Sequence, residues 1–400
     1  MTPSQGQRLW TIDYVRAFTA MLGVSVVFIT LMAYMAIYAI REFQVDETAG
    51  GIAASAFVAG GALSRVLIGK YLDFVGRKRT LAVTLAVFVI CSLIYPIIDH
   101  YGLLVLLRFI HGAAFGISST VISSVAVTLI PAGRLSEGLG YISLAGTVAN
   151  AIGPFAAIQL HQHASSLWVF GFTTLCAVVS FLAVLPMQIP ERQPSPEEYQ
   201  RRWRVRASDL IDFKAAPVAT VGLLTTLSFS VVMTYLPSYL VGMNMASTAS
   251  VFFFIWAMGM LLVRLFAGRI QDRHGENVVI PGALVALIAG LVIISLADSL
   301  WQFIIAAFLG GLGHGTVLPG LQAVAVKRTT PERVPIAVST HYIALDSGLA
   351  IGPPMLGFII GLAGYPYLYV AGAGLAFLGL VIYWLTHGRY AKVQAASVRK

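Results

Sequence analysis

Charge is scarce in this chain: Asp, Glu, Lys and Arg make up 11% of its 400 residues, and only 17 are acidic. A soluble globular domain ordinarily uses about 25% over its whole sequence, so a soluble fold is excluded first. Cysteine is nearly missing as well. Cys91 and Cys176 both lie in apolar stretches, without CxxC or Cys/His ligand spacing, which excludes a disulfide scaffold and a thiolate zinc site and leaves buried thiols. No phosphate-binding glycine loop, nucleophile with a base, metal-ligand cluster or cofactor motif stands out. Neither an enzyme nor a cofactor or metal is therefore expected. Long hydrophilic stretches are lacking except for 188–215, and the polar leader has no small-residue cleavage site ahead of the first apolar segment, so that segment is expected to stay in place.

Apolar residues fill the space instead. They make up 58% of the chain, and the mean hydropathy is +0.83. Long apolar stretches recur at 17–40, 46–70, 80–98, 102–129, 138–160, 165–187, 216–240, 247–268, 278–297, 301–326, 336–361 and 366–387, each near the roughly 20 residues a helix needs to cross a bilayer. None shows the alternating period of a membrane barrel. The expectation is an all-α membrane protein of twelve transmembrane helices, closely packed through glycines such as Gly310, Gly311, Gly313 and Gly315.

Basic residues orient it. Of the 26 lysines and arginines, only Arg41, Arg65, Arg108 and Arg264 fall outside the leader, the tail and one alternating set of loops. Because such loops stay on the cytoplasmic side, both termini are expected there. The net charge of +9 follows from topology and contact with anionic lipid, and no nucleic-acid partner is implied.

The pattern Arg-x3-Gly-x3-Asp-x2-Gly occurs twice, as Arg65, Gly69, Asp73, Gly76 and as Arg264, Gly268, Asp272, Gly275. The same 199-residue offset carries Gly112 to Gly311, Gly116 to Gly315 and Gly153-Pro154 to Gly352-Pro353. Two equivalent six-helix halves are expected at 1–187 and 216–400. The segment 188–215, with Pro190, Pro194, Pro196, Glu197, Glu198, Arg201, Arg202, Arg204 and Arg206, reads as a cytoplasmic linker with a basic stretch on the membrane face.

The run Gly69-Lys70-Tyr71-Leu72-Asp73-Phe74-Val75-Gly76-Arg77-Lys78-Arg79 resembles the cytoplasmic loop motif of the major facilitator superfamily, with a weaker copy from Gly268 to Gly275. The resemblance covers essentially the whole chain and implies that family's two-half fold. Gly69 and Gly76 permit close approach and a tight turn, and Asp73 is placed to face a helix N-terminus or an arginine. The resemblance implies a conformational latch of Gly69, Asp73, Gly76, Arg77, Gly268, Asp272 and Gly275; Lys78 and Arg79 read as topology charges. Arg108-Phe109-Ile110-His111-Gly112 resembles a second family motif whose arginine is associated with proton coupling. Here His111 stands in place of the usual glutamine, either in a proton path or as a hydrogen-bonded packing residue. Gly146, Gly153 and Pro154 partly match the family's antiporter motif, with Ala156 and Ala157 replacing its later glycines; with Gly352 and Pro353 they form helix-bending or packing positions.

Asp346 is the sharpest single residue: a carboxylate near the middle of the eleventh span, whose repeat equivalent is Thr147. A carboxylate at that depth carries a proton, meets a cationic substrate, or pairs with His341 or Arg108. His314 and His341 are candidate cavity residues or satisfied interior histidines. Tyr34, Tyr38 and Tyr235 are candidate cavity-lining residues among aromatics that also include Tyr239, Phe254 and Trp256. His161 and His163 supply too few ligands for a metal site.

The expectation is a monomeric inner-membrane transporter that couples protons to export of a small molecule, with Asp346, Arg108 and His111 in the coupling. Its partners are a small-molecule substrate, protons and the lipid bilayer. Proton-driven uptake of a metabolite and a nontransporting membrane receptor are the rival expectations.

Overall fold

Apolar runs of this length close every backbone hydrogen bond within themselves only as helices, and the computed structural model follows that constraint. It describes residues 8–45, 47–163, 165–200, 203, 206–245 and 247–389, among which there is no strand. The helices are α1 (Ile12–Phe43), α2 (Glu47–Val75), α3 (Arg77–Ile94), α4 (Tyr101–Leu129), α5 (Leu135–His163), α6 (Ser166–Val184), the short α7 (Pro196–Gln200) and α8 (Ala207–Leu210), α9 (Ala216–Gly242), α10 (Thr248–Arg264), α11 (Ala267–His274), α12 (Glu276–Leu296), α13 (Leu300–Lys327), α14 (Val334–Ala363) and α15 (Tyr365–Tyr383). Twelve segments among the described residues are long and apolar enough to cross a membrane, the number expected.

One expected span differs in form. The eighth is broken into α10 and α11, because the N–H groups of Leu265 and Phe266 turn back to Leu262 and Val263 at 3.3 and 3.1 Å, the tighter i→i−3 pattern. Its repeat counterpart, α2, runs unbroken. In the linker α7 and α8 are separate short helices; Arg201, Arg202 and Arg204 lie outside the described residues, as do the leader residues 1–7 and the basic tail beyond Arg389.

The chain packs as two compact units. One contains Met1–Ala132, Tyr141–Ile211 and Pro331–Ser339; the other contains Gly133–Gly140, Asp212–Thr330 and Thr340–Lys400. Each therefore takes in the opening of a helix whose remainder belongs to the other, α14 for the first unit and α5 for the second. Within the first unit α4 packs on α2 and α3, and α1 on α6; within the second α13 packs on α10 and α12, and α15 on α9. The 199-residue offset relates these pairings. Gly112 lies against the carbonyl of Phe57 and Gly311 against that of Trp256, with no space for a side chain at either. Since Phe57 and Trp256 are themselves repeat equivalents, one close helix crossing has been built twice. The second unit's core gathers Leu236, Phe252, Trp256, Leu287, Phe303 and Tyr369, with a further cluster around Val218, Leu284, Leu321 and Tyr383.

Candidate functional site

Both copies of the repeated motif end in the same backbone device. Gly76 and Gly275 adopt φ of +95° and +88°, a region that side-chain-bearing residues avoid. Their N–H groups return to Leu72 and Gln271 at 3.0 and 2.9 Å, and the next helix begins one residue later. The glycine at the head of each motif lets two helices meet. A Cβ on Gly69 would lie 3.0 Å from the Ser339 side chain and 3.1 Å from the Ile336 backbone, and one on Gly268 would lie 2.5 Å from the Glu137 Cα.

The aspartates diverge. Asp73 is buried and accepts Arg77 Nε at 2.8 Å, with Arg192 Nη1 at 3.5 Å. Asp272 instead receives the Ser136 and Glu137 N–H groups at 3.1 and 2.9 Å, capping the start of α5. Sequence explains the difference at two places. Residue 276, equivalent to Arg77, is glutamate, so Asp272 has no arginine one turn away. Residue 335, equivalent to Ser136, is proline and has no N–H to offer Asp73.

Charged partners complete each turn. In the first unit the Glu191 carboxylate accepts the N–H groups of Arg77 and Lys78 at 2.7 and 2.8 Å, capping α3 from the linker. Arg192 bonds Glu198 at 2.8 and 3.1 Å, and that hydrogen bond is the main cause holding the Glu198 carboxyl below the usual range. Lys70 pairs with Asp209 at 3.0 Å. Lys70, Asp73, Arg192, Arg206, Asp209 and Arg333 are among the residues lining a cavity of about 240 Å³ there. In the second unit Glu137 is held by Arg134 at 2.6 and 2.8 Å and by Arg269 at 2.6 Å. Glu276 bonds His387 at 3.0 Å, and Lys327 stands 3.7 Å from Glu276 and 3.9 Å from Asp272.

A second polar group lies inside the first unit. Arg108 is wholly buried, with Nε on the Ala53 carbonyl at 3.0 Å, Nη2 on the Ala54 carbonyl at 3.2 Å, and the guanidinium 4.6 Å from the Phe57 ring centre. His111, equally buried, meets the Tyr95 hydroxyl through Nδ1 at 3.0 Å and Ser92 through Nε2 at 3.4 Å, with Phe88 against its ring. Both ring nitrogens are thus occupied by neutral partners.

Asp346 is half-buried, twelve residues into α14, or roughly 18 Å along it, and is engaged with its surroundings. His341, four residues short of Leu345 on that helix, is buried with its ring near Tyr342. His314 is buried and stacked on Phe229 at 4.0 Å. Tyr34 and Tyr38 are buried around Phe170, and the Tyr34 hydroxyl donates to Ser166 at 2.6 Å. Tyr235 packs beside Leu356 and Leu368. Gly153 presses on Ile29 and Thr30 of α1, and Gly352 on Ser230 of the equivalent α9, whereas Gly146 has open space where a side chain would be. Both helices continue through Pro154 and Pro353; the side chains of these prolines, and of His161 and His163, lie outside the described residues. Sequence reasoning missed Glu191, Glu137, Tyr95 and Ser92 as partners. Glu137 alone carried a local signal, three residues after Arg134.

The fold agrees with comparison. The chain matches the Major Facilitator Superfamily over residues 17–298 and 246–400, and it belongs to that family. It is 33% identical over 120 residues to the uncharacterized MFS-type transporter YhhS of Salmonella enteritidis, and 32% identical to that of Escherichia coli K12. The aligned region covers 30% of this chain and 29% of the relative. Among solved structures, it resembles the human organic anion transporter MFSD10 with TM-score 0.79 and 17% identity, covering 95% of this chain and all of that one. It also resembles FucP in the outward conformation (0.74, 13%, 95% and 99%) and the proton:xylose symporter XylE (0.73, 13%, 93% and 94%). At these identities the likeness is one of fold.

Proposed function

We propose that this protein is a proton-coupled secondary transporter of the cytoplasmic membrane that exports a small molecule by alternating access, with both termini cytoplasmic and the single chain as the working unit. The observation that carries the reading is Asp346. A carboxylate halfway along a membrane-length helix is costly to retain and is functional by default. Its counterpart Thr147 is neutral, so two-fold packing does not demand it. Protonation of Asp346 on one side and release on the other supplies the coupling, while Asp73 and Asp272 hold helix ends that separate and rejoin as access alternates. Export is favoured by the partial antiporter motif around Gly153-Pro154.

The test is proton movement in inverted vesicles, followed with a pH-sensitive dye across a chemically broad compound panel, for wild type and Asp346→Asn. Dissipation of the gradient by some compound, lost in the variant, is expected. Acidification of the vesicle lumen on compound addition would make the protein an importer, and no response in folded protein would remove the coupling.

A further inference from the structure

Three charged residues of the second unit have repeat equivalents in the first, and one of the three loses its charge there. In the second unit Glu137, at the start of α5, is held between two bases, Arg134 at 2.6 and 2.8 Å and Arg269 of α11 at 2.6 Å. The equivalents of these bases, Arg333 and Lys70, are bases too, but residue 336, equivalent to Glu137, is isoleucine. The helices cross alike at both places. A Cβ on Gly268 would lie 2.5 Å from the Glu137 Cα, and one on Gly69 would lie 3.1 Å from the Ile336 Cα. What the first unit sets against its two bases is the linker. Lys70 Nζ meets the Asp209 carboxylate at 3.0 Å, and Arg333 Nη2 donates to the Ser208 carbonyl at 2.7 Å, so both converge on adjacent residues of α8. The order of burial is inverted as well. In the second unit the Glu137 side chain is 5% exposed and that of Arg269 50%, so the acid is built into the helix packing. In the first the Lys70 side chain is 7% exposed and that of Asp209 31%, so the acid is the outer partner and can leave without unpacking a long helix. Space adjoins it: Lys70, Asp209, Arg333 and Ile336 all line the cavity of about 240 Å³.

We propose that Lys70 and Arg333 form a docking socket whose occupant is α8. The linker thus supplies to the first unit the acid that position 336 lacks, and acts as a releasable clasp between the end of α2 and the start of α14. In the second unit the acid belongs to α5 and stays in place; in the first it rides on a helix of four residues. A partly exposed ion pair adds little net stability, which suits a contact that is made and broken rather than one that holds a fold. Asp209 Oδ2 also accepts the Arg206 N–H at 3.1 Å, closing the first turn of α8, so the segment leaves and returns as one piece. The clasp rests on the transporter reading only for what its release serves, the parting of α2 from the start of α14 as access alternates; the docking itself does not.

The experiment uses the purified full-length protein in detergent, carrying Cys91→Ser, Cys176→Ser and Ala207→Cys, with a nitroxide on the introduced thiol at that exposed position. Electron paramagnetic resonance then reads the ratio of mobile to docked α8. Asp209→Asn removes the charge and keeps an oxygen for the Arg206 N–H, and is expected to raise the ratio about two- to fivefold, the scale of one partly exposed ion pair. Lys70→Glu raises it likewise, and Lys70→Glu combined with Asp209→Lys returns it toward the starting value. Ile336→Glu is the sharper variant. The introduced glutamate takes Lys70 and Arg333 as Glu137 takes their equivalents, so α8 is displaced although neither of its own partners has been removed, and Asp209→Asn then adds no further mobility. Unchanged mobility in folded Asp209→Asn, no recovery in the exchanged pair, or α8 still docked in folded Ile336→Glu each overturns the clasp; should Ile336→Glu not fold, the exchanged pair decides. The vesicle assay on the same variants separates the two readings. Mobility that changes as expected, with no compound response in any form, removes transport and leaves the clasp, and a compound response with mobility unchanged throughout removes the clasp and leaves transport.

Discussion

Asp272 accepts the backbone N–H of Glu137 at 2.9 Å, the bond that its repeat counterpart Asp73 forgoes in favour of Arg77 at 2.8 Å. The two aspartates occupy the same place in one motif, yet one caps a helix and the other neutralises a cation. Residue 276, together with the proline at 335, underlies the choice. Hydrogen exchange at Ser136 and Glu137 is expected to accelerate in Asp272→Ala and to stay unchanged in Asp73→Ala, with a stability loss of about 1 kcal/mol for the lost cap. Glu276→Arg restores the arginine found in the first copy and should accelerate the same two amides by drawing Asp272 away. Unaltered exchange in Glu276→Arg would show that position 276 does not control the choice.

The linker's hold on the first turn depends on Glu191 and on Arg192 with Glu198. Glu191→Ala leaves two donors at the start of α3 uncapped, with an expected stability loss of about 1 kcal/mol and faster proteolysis between α6 and α9. The pH dependence follows from Glu198, whose carboxyl is held below its usual value chiefly by the Arg192 hydrogen bond. A depressed carboxylate contributes fully above its unfolded value of ~4.3 and loses that contribution only as pH falls through the lower native value. Linker protection should therefore be level from neutrality down to about pH 4 and decline only below it. A decline centred near pH 6 would assign the strap to a histidine instead.

How much of this was legible in sequence depends on separation along the chain. The twelve helices follow from hydropathy, because a membrane leaves apolar segments no other regular form. The paired turns were legible because the offset lays Gly69 on Gly268 and Asp73 on Asp272, and positive φ at Gly76 and Gly275 explains why those positions are glycine. The opposite fates of the aspartates were implicit in Arg77 against Glu276 and Ser136 against Pro335, but only once the structure showed what each aspartate faces. Glu191 was not legible: it lies 114 residues from Arg77, and no periodicity marks a bond across such a distance. The break before α11 was equally hidden, since Leu265 and Phe266 are apolar residues that fit an unbroken helix as well.

His111 was open between a proton path and packing, and its bonds give a direct test. Tyr95→Phe removes the hydrogen-bond partner that Nδ1 has among the described residues while preserving the ring that stacks on Phe170. A buried polar atom left without its bond costs about 1–3 kcal/mol, so the unfolding temperature should fall. His111→Gln should lower it too, because the amide cannot fill the space between Phe57 and Phe88 that the imidazole occupies. A role in coupling adds a second effect: the ratio of protons moved to substrate moved changes in His111→Gln but not in Tyr95→Phe. An unchanged ratio in both leaves His111 as packing.

The doubled crossing of α2 on α4 and of α10 on α13 predicts a hierarchy among glycines that share one residue type and one helical setting. At Gly112 a Cβ falls on the Phe57 carbonyl, and at Gly311 on the Trp256 carbonyl. Backbone on both sides must move apart to admit a methyl group, so Gly112→Ala and Gly311→Ala should each destabilise by about 1–3 kcal/mol or more, the range for overpacking a well-filled interior. Gly374 lies in α15 with nothing near enough to touch a Cβ. Gly374→Ala is expected to be neutral or to stabilise by up to about 1 kcal/mol through helix propensity alone. Thermal unfolding of the three purified variants in one detergent decides it. Similar losses at Gly112 and Gly311 with none at Gly374 would show that the repeat conserves a contact rather than a composition, and equal tolerance at all three would mean that the helices do not approach as closely as their carbonyls require.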